Sequence, residues 1–246
     1  MAVDFRIVIP ARYASQRLPG KPLRLIHGKS MIEWVYRAAQ QASASEIVVA
    51  TDDQRIYDRV IEFGGDACMT ASTHTSGTDR ILEVATIRQW SKDSIVVNLQ
   101  GDEPLMPAVN ISQVAEILAV NACSMATLHK VIDATQAQDP NQVKLVHDQS
   151  GRALYFSRSL IPFDRGGEFK QYLGHIGIYA YRVGFLETFS NLEPCALEVA
   201  ESLEQLRALC NGYSINSEIA RALPGPGVDT EQDLVQAEKL IAAMAP

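Results

Sequence analysis

Three cations crowd one short loop. In Pro10-Ala11-Arg12-Tyr13-Ala14-Ser15-Gln16-Arg17-Leu18-Pro19-Gly20-Lys21, the charges of Arg12, Arg17 and Lys21 have few acids nearby to neutralise them. A triphosphate needs cations that converge on several oxygens, and arginine adds a planar two-pronged donor set. The loop leaves the apolar run Arg6–Pro10, which reads as a buried strand, and open α/β sheets bind ligands beyond the carboxyl ends of their strands. Three loop cations are equally compatible with solvated surface charge. Their place at a strand end, in an otherwise acidic chain, favours an anion site. A carboxylate, Asp102, follows a second apolar run, Ser94–Gln100. There it could hold Mg²⁺ on substrate phosphates, since magnesium takes one or two carboxylates and leaves the rest of its shell to water and phosphate. The best second acid is Asp229, in a Gly/Pro-rich loop before the last helix; taken alone, it is as readily a loop acid drawn to a helix N-terminus.

Other chemistries find little support. Gly28-Lys29-Ser30 resembles the tail of a phosphate-binding loop, but Leu23 stands where that pattern requires glycine. Gly225-Pro226-Gly227 is not a dinucleotide fingerprint, because Thr230 occupies its third glycine position. The five histidines have no zinc-ligand spacing, and no nucleophile elbow occurs. His175 lies in a strand between Gly174 and Gly177, which leave room for a ligand; a lone strand histidine is still more often structural. Cys68, Cys123, Cys195 and Cys210 are far apart in sequence, with no C-x-x-C, which fits reduced core thiols.

The net charge of −7 argues against a nucleic-acid partner. Residues 1–30 nevertheless carry six cations against one acid. No apolar run reaches the roughly 18 residues of a membrane span, and the N-terminus lacks the pattern of a signal peptide. A cytoplasmic protein with no membrane partner is expected.

The elements that must position these groups alternate. After the first strand and its loop, Ser30 starts a helix with Glu33 as capping-box partner. Then come strand Glu46–Thr51, helix Asp52–Phe63, strand Asp66–Thr70, helix Thr78–Trp90, strand Ser94–Gln100 and a helix from Pro107 to Val120. This order predicts an α/β fold, a mostly parallel sheet covered on both faces. Later residues read as strands Ser124–Val131, Gln142–His147, Arg152–Arg158 and Leu173–Arg182, helices Val183–Ser190 and Ala196–Asn211, strand Tyr213–Ile219, and a helix from Thr230 capped by Thr230 and Asp233. The expectation is one domain over residues 1–246, with 123–190 as a smaller inserted subregion.

Eight segments in order carry a resemblance: the loop Pro10–Leu23, Ser76–Arg80 (SGTDR), Val96–Pro104 (VVNLQGDEP), Ala153–Arg158 (ALYFSR), Ile161–Arg165 (IPFDR), His175–Arg182 (HIGIYAYR), Leu197–Arg207 (LEVAESLEQLR) and Gly227–Leu234 (GVDTEQDL). Together, over about residues 5 to 240, they resemble the 3-deoxy-manno-octulosonate cytidylyltransferase family of lipopolysaccharide biosynthesis. The resemblance implies a Rossmann-type layered α/β/α fold like that of nucleotide-diphospho-sugar transferases. It implies a homodimer that uses Mg²⁺ to join CTP to an octulosonic acid with loss of pyrophosphate. By resemblance, Arg12, Arg17 and Lys21 hold the triphosphate, with Arg12, Lys21 and Asp102 catalytic. Arg80 and Gln100 help place nucleotide and sugar, and Asp102 and Asp229 hold the metal. Arg158, His175, Tyr179, Glu198 and Gln205 line the sugar pocket. Competing readings are another CMP-sugar synthetase, of sialate type, and a non-catalytic nucleotide-binding regulator.

Departures from the family pattern cluster on the sugar side. Gly174 replaces an arginine, the Pro-Ser-Pro-Leu-Glu pattern becomes Pro194-Cys195-Ala196-Leu197-Glu198, and the loop Asp164–Gln171 is short. Loss of a cation beside the pocket would suit an acceptor carrying an amine in place of the 8-hydroxyl; neutral drift explains it equally well.

Overall fold

The computed structural model describes residues 3–14, 17–74 and 76–244; Ser15 and Gln16 of the cationic loop lie outside them. In chain order, β1 (Phe5–Ala11) is followed by a single 3-10 turn at Lys21–Leu23 and a small hairpin, β2 (Leu25–Ile26) and β3 (Lys29–Ser30). The first half continues through α1 (Met31–Gln40), β4 (Glu46–Thr51), α2 (Gln54–Glu62), β5 (Ala67–Met69), α3 (Gly77–Ile87), β6 (Ile95–Asn98) and α4 (Ala108–Val120). The second half holds β7 (Met125–Ile132), α5 (Ala134–Ala137), β8 (Lys144–His147), β9 (Ala153–Ser157), β10 (Tyr172–Arg182), α6 (Val183–Ser190), α7 (Ala196–Glu201), α8 (Gln205–Cys210), β11 (Ile215–Ile219) and α9 (Glu231–Met244).

The main sheet runs β11-β7-β10-β6-β1-β4-β5. β6, β1, β4 and β5 pair in parallel, as do β7 and β11. β10 alone runs the other way, antiparallel to both β6 and β7. Near-continuous apolar strands such as Ile7, Val8 and Ile9 need cover on both faces. One face packs Ile7, Ile9 and Val97 under α1 and α4, and the other packs Val8, Val48 and Val96 against α3 and α6. The result is the three-layered α/β/α arrangement expected. Of residues 123–190, β7 and β10 are integral to the main sheet, while β8 and β9 form a hairpin on its flank.

Three local expectations differ. Ser30 is the N-cap of α1 but makes no side-chain cap bond. Glu33 is buried and accepts from Arg37 and Arg59, and Arg59 also reaches Ser30 Oγ, so salt bridging displaces the capping box. The single helix Ala196–Asn211 is two, broken at Ser202, which adopts left-handed backbone with φ +52°. The cysteines are not uniformly core thiols: Cys68 is buried, Cys123 and Cys195 are partly exposed and Cys210 is exposed. By contrast, the predicted cap of α9 forms, with Asp233 accepting from the Thr230 N–H and hydroxyl.

Among the described residues, no helix is long and apolar enough to cross a membrane.

Candidate active site

The strand ends create the site. β1 pairs with β6 as far as Val8–Asn98, the Leu99 N–H adds one more bond to the Val8 carbonyl, and the chain after β6 then leaves the sheet. Gly101 lies so close to β1 that a Cβ there would be 2.8 Å from the Pro10 carbonyl oxygen. Only glycine lets Gln100-Gly101-Asp102 make this turn without displacing backbone. Gly20, at φ +65°, plays a comparable part in the cationic loop, starting the turn that carries Lys21.

These two turns and the loop before α9 bring distant acids onto one lysine. Lys21 Nζ lies 2.6 Å from Asp102 Oδ2 and 3.0 Å from Asp229 Oδ1. Arg17 is 3.1 Å from the same Asp229 oxygen. Burial works against the Lys21 ammonium, but Asp102 and then Asp229 outweigh it and raise its pKa above the ordinary lysine value. Next door, burial and the neighbouring Asp102 push the Glu103 carboxyl up to about 8.

A cavity of about 790 Å³ opens over this cluster, lined by Arg12, Arg17, Lys21, Arg80, Gln100, Asp102 and Asp229. His74, Ser76 and Gly77 also contribute to its wall. Arg12 is exposed there, with no hydrogen-bond partner among the described residues. Arg80 is buried; its guanidinium is fixed by Asp52 at 2.9 Å and by the Thr70 hydroxyl. Gln100 donates to Asn98 Oδ1 at 3.0 Å. All seven residues expected around nucleotide and metal therefore meet in one place, where α3 begins and its first N–H groups favour an anion.

Of the residues expected around the sugar, Gln100 lines that cavity, and Arg158, His175, Tyr179, Glu198 and Gln205 do not. His175 and Tyr179 do meet, with ring centroids 5.3 Å apart, and the His175 Nε2 pairs with Thr127 Oγ1 at 3.0 Å. Burial drives the His175 pKa down to about 3, so its ring is neutral near pH 7. Arg158 donates to the Glu201 and Ser202 carbonyls at the elbow between α7 and α8. Glu198 on α7 and Arg207 on α8 form a two-point ion pair. Gln205 is buried with its Nε2 unpartnered, as is Glu204 Oε1 beside it in sequence. The Thr78 hydroxyl donates to Glu204 Oε2 at 2.7 Å, tying the elbow to the helix whose start forms the cavity wall.

Sequence reasoning missed His74, Glu103 and Glu204. Glu204 was hidden by an uninterrupted helical pattern, since Ser202 gives no glycine or proline signal for the break.

Residues 6–218 match the cytidylyltransferase family. The chain is 51% identical to a 3-deoxy-manno-octulosonate cytidylyltransferase of Vibrio vulnificus, over 98% of this chain and 99% of that one. It is likewise 51% identical to the enzyme of the same name from Photobacterium profundum, over 97% and 100%. The chain belongs to the 3-deoxy-manno-octulosonate cytidylyltransferase family. A solved structure of a CMP:2-keto-3-deoxy-manno-octonic acid synthetase in complex with CTP superposes on this cytidylyltransferase with a TM-score of 0.92. The two are 45% identical over 98% of this chain and all of that one. A nucleotidyl transferase from Methanothermobacter thermautotroptrophicus shares the fold alone, with a TM-score of 0.65 at 13% identity.

Proposed function

We propose that this cytidylyltransferase joins CTP to a 3-deoxy-octulosonic acid. The acceptor's anomeric hydroxyl attacks the α-phosphorus, the bond from that phosphorus to the bridging oxygen breaks, and pyrophosphate leaves. The observation that carries the reading is the convergence of Arg12, Arg17 and Lys21 with Asp102 and Asp229 in one cavity. In phosphoryl-type transfer the protein chiefly positions groups and balances charge. Arg12 is free to bind phosphate oxygens, and Arg17 and Lys21 neutralise the remainder. Arg80 and Gln100, in the lining of the cavity, help place nucleotide and acceptor. On the acceptor side, His175 and Tyr179 supply ring faces, and Gln205 supplies an amide with an unused donor; Arg158 and Glu198 hold the elbow that carries it.

Asp102 and Asp229 would hold Mg²⁺. Their donor set fits: two partly exposed carboxylates meet at one ammonium, as hard oxygen ligands facing a cavity suited to phosphate. Bound there, the ion would neutralise charge on the phosphate oxygens. A cytoplasmic homodimer is part of the same reading.

The acceptor is Kdo or its 8-amino analogue. A Cβ at Gly174 would lie 2.9 Å from Ile132 and 3.0 Å from the Gln142 amide. Gln142 itself donates to the His175 carbonyl, so it fills the space an arginine at 174 would need. The side chain at 174 would leave β10 on the face opposite His175. An arginine at 174 would therefore not enter the His175–Tyr179 cluster, and Gly174 by itself does not choose between the two acceptors. Turnover measured on both acceptors, with the CMP-sugar identified by mass, tests the reading. Preference for the 8-amino sugar supports it, clear preference for Kdo assigns the unmodified acid, and no CMP-sugar from either refutes the function.

A further inference from the structure

At position 195 the chain carries a cysteine where the family pattern has serine. The fold makes use of it: Cys195 Sγ and Cys210 Sγ lie 2.7 Å apart, although 15 residues separate them. Cys195 precedes α7 and Cys210 ends α8, so folding the elbow at Ser202 brings the two sulfurs together. Cys210 is exposed and Cys195 partly so; both can be reached by a small oxidant. We propose that Cys195 and Cys210 form an oxidisable dithiol, a modification site at which an intramolecular disulfide clamps α7 to α8.

The bonding around the pair suits this chemistry. A disulfide needs an S–S distance of about 2.05 Å, so closing it asks for a shift of only a fraction of an ångström at each sulfur. Cys195 Sγ accepts the Glu198 N–H at 3.4 Å. Although partial burial opposes it, hydrogen bonding from Cys210 and from that backbone leaves the Cys195 thiol below its ordinary pKa, while sharing the proton pushes Cys210 up to about 11. Cys195, whose sulfur already receives the Glu198 N–H, is the attacking sulfur, and the more exposed Cys210 is the resolving one.

With hydrogen peroxide as oxidant the step balances. The Cys195 thiolate attacks one peroxide oxygen, the O–O bond breaks, and the leaving hydroxide takes a proton to become water. The sulfenic acid on Cys195 is then attacked by the Cys210 sulfur, which forms the S–S bond and expels a second water after its thiol proton is passed on. Two thiols lose two electrons, and the peroxide gains them.

The clamped helices carry Glu198 and Gln205, which gives the disulfide a route to the acceptor side. This consequence rests on the reading of those residues under the proposed function. Locking the elbow holds Gln205 and its neighbour Glu204 in their present positions, so acceptor binding should change while CTP binding, which uses the β1 and β6 loops, should not.

The test treats the full-length enzyme with hydrogen peroxide and analyses it by tryptic mass spectrometry without reduction. Cleavage after Arg207 separates the two cysteines into peptides 183–207 and 208–221. The expected result is one cross-link between these peptides, reversed by dithiothreitol and absent in Cys195→Ser and Cys210→Ser. Differential alkylation of the untreated and oxidised wild type should show Cys195 and Cys210 losing their free thiols together, without a variant. Free thiols after treatment, sulfinic acid in place of the cross-link, or a bond to Cys68, Cys123 or a second chain would overturn the proposal. In the cross-linked enzyme the acceptor KM should move severalfold with the CTP KM unchanged. A confirmed cross-link with neither KM changed would count against the acceptor-side placement of Glu198 and Gln205, not against the dithiol.

Discussion

Asp102→Asn keeps the shape of the side chain and removes its charge. In the structure that charge lies 2.6 Å from Lys21 Nζ, beside the second carboxylate of Asp229 at 3.0 Å from the same nitrogen. Two quantities should separate. Turnover should fall by about 10²–10³, or about 2.7–4 kcal/mol, the usual effect of losing one preorganised electrostatic group at a reacting centre. Stability should change by no more than about 1 kcal/mol, because the pair is partly solvated and Lys21 retains Asp229. The assay is pyrophosphate release at saturating CTP, acceptor and Mg²⁺, paired with a urea unfolding curve. Near-wild-type turnover at saturating Mg²⁺ would refute the metal assignment. An equally large loss of stability would show that Asp102 is a structural partner of Lys21 and that the rate effect is indirect.

Three further outcomes follow from the packing. Gly101→Ala would place a methyl carbon 2.8 Å from the Pro10 carbonyl oxygen; it should lower stability by about 1–3 kcal/mol and weaken turnover, read as a reduced thermal midpoint and a reduced rate. Lys144 is fully buried and donates to the Asp139 and Arg158 carbonyls; Lys144→Met should cost about 1–3 kcal/mol in urea unfolding through the carbonyls left unpaired, and an unchanged midpoint would contradict this. Burial, with His147 close by, holds the His129 pKa down at about 4 against 6.5 unfolded. The unfolded chain therefore binds the proton first as pH falls, and stability present above about 6.5 is lost progressively toward 4, by up to about 2 kcal/mol at pH 5. The urea midpoint of the wild type should drop between about pH 7.5 and 5, and His129→Asn should make that drop shallower, with the depressed His175 accounting for a remaining part.

Much of the frame was legible because its signals are local. β1, β4 and β6 are short apolar runs, and burial on both faces leaves few other ways to fold them. The loop after β1 announced its chemistry through three cations in one stretch. What stayed hidden depends on long-range register. That β10 would enter the sheet antiparallel between β6 and β7 is not written in its own eleven residues. Asp102 and Asp229 meet only because the β6 turn and the loop before α9 cross at Lys21. The acceptor side was least legible. The break at Ser202 has no glycine or proline to mark it, and the buried Gln205 and half-buried Glu204 lie just beyond that break. Ser30 and Glu33 have the spacing of a capping box, but Arg37 and Arg59, one of them from another helix, form stronger charged bonds with Glu33.

The most direct test of the central claim is pyrophosphate release from CTP, followed with Kdo or its 8-amino analogue, with N-acetylneuraminate, and with no acceptor. Release that requires an octulosonic acid and yields one CMP-sugar per pyrophosphate is the predicted result. Release with N-acetylneuraminate alone would identify a sialate-type synthetase, and CTP binding with no release under any condition would mark a nucleotide-binding regulator; either would contradict the account.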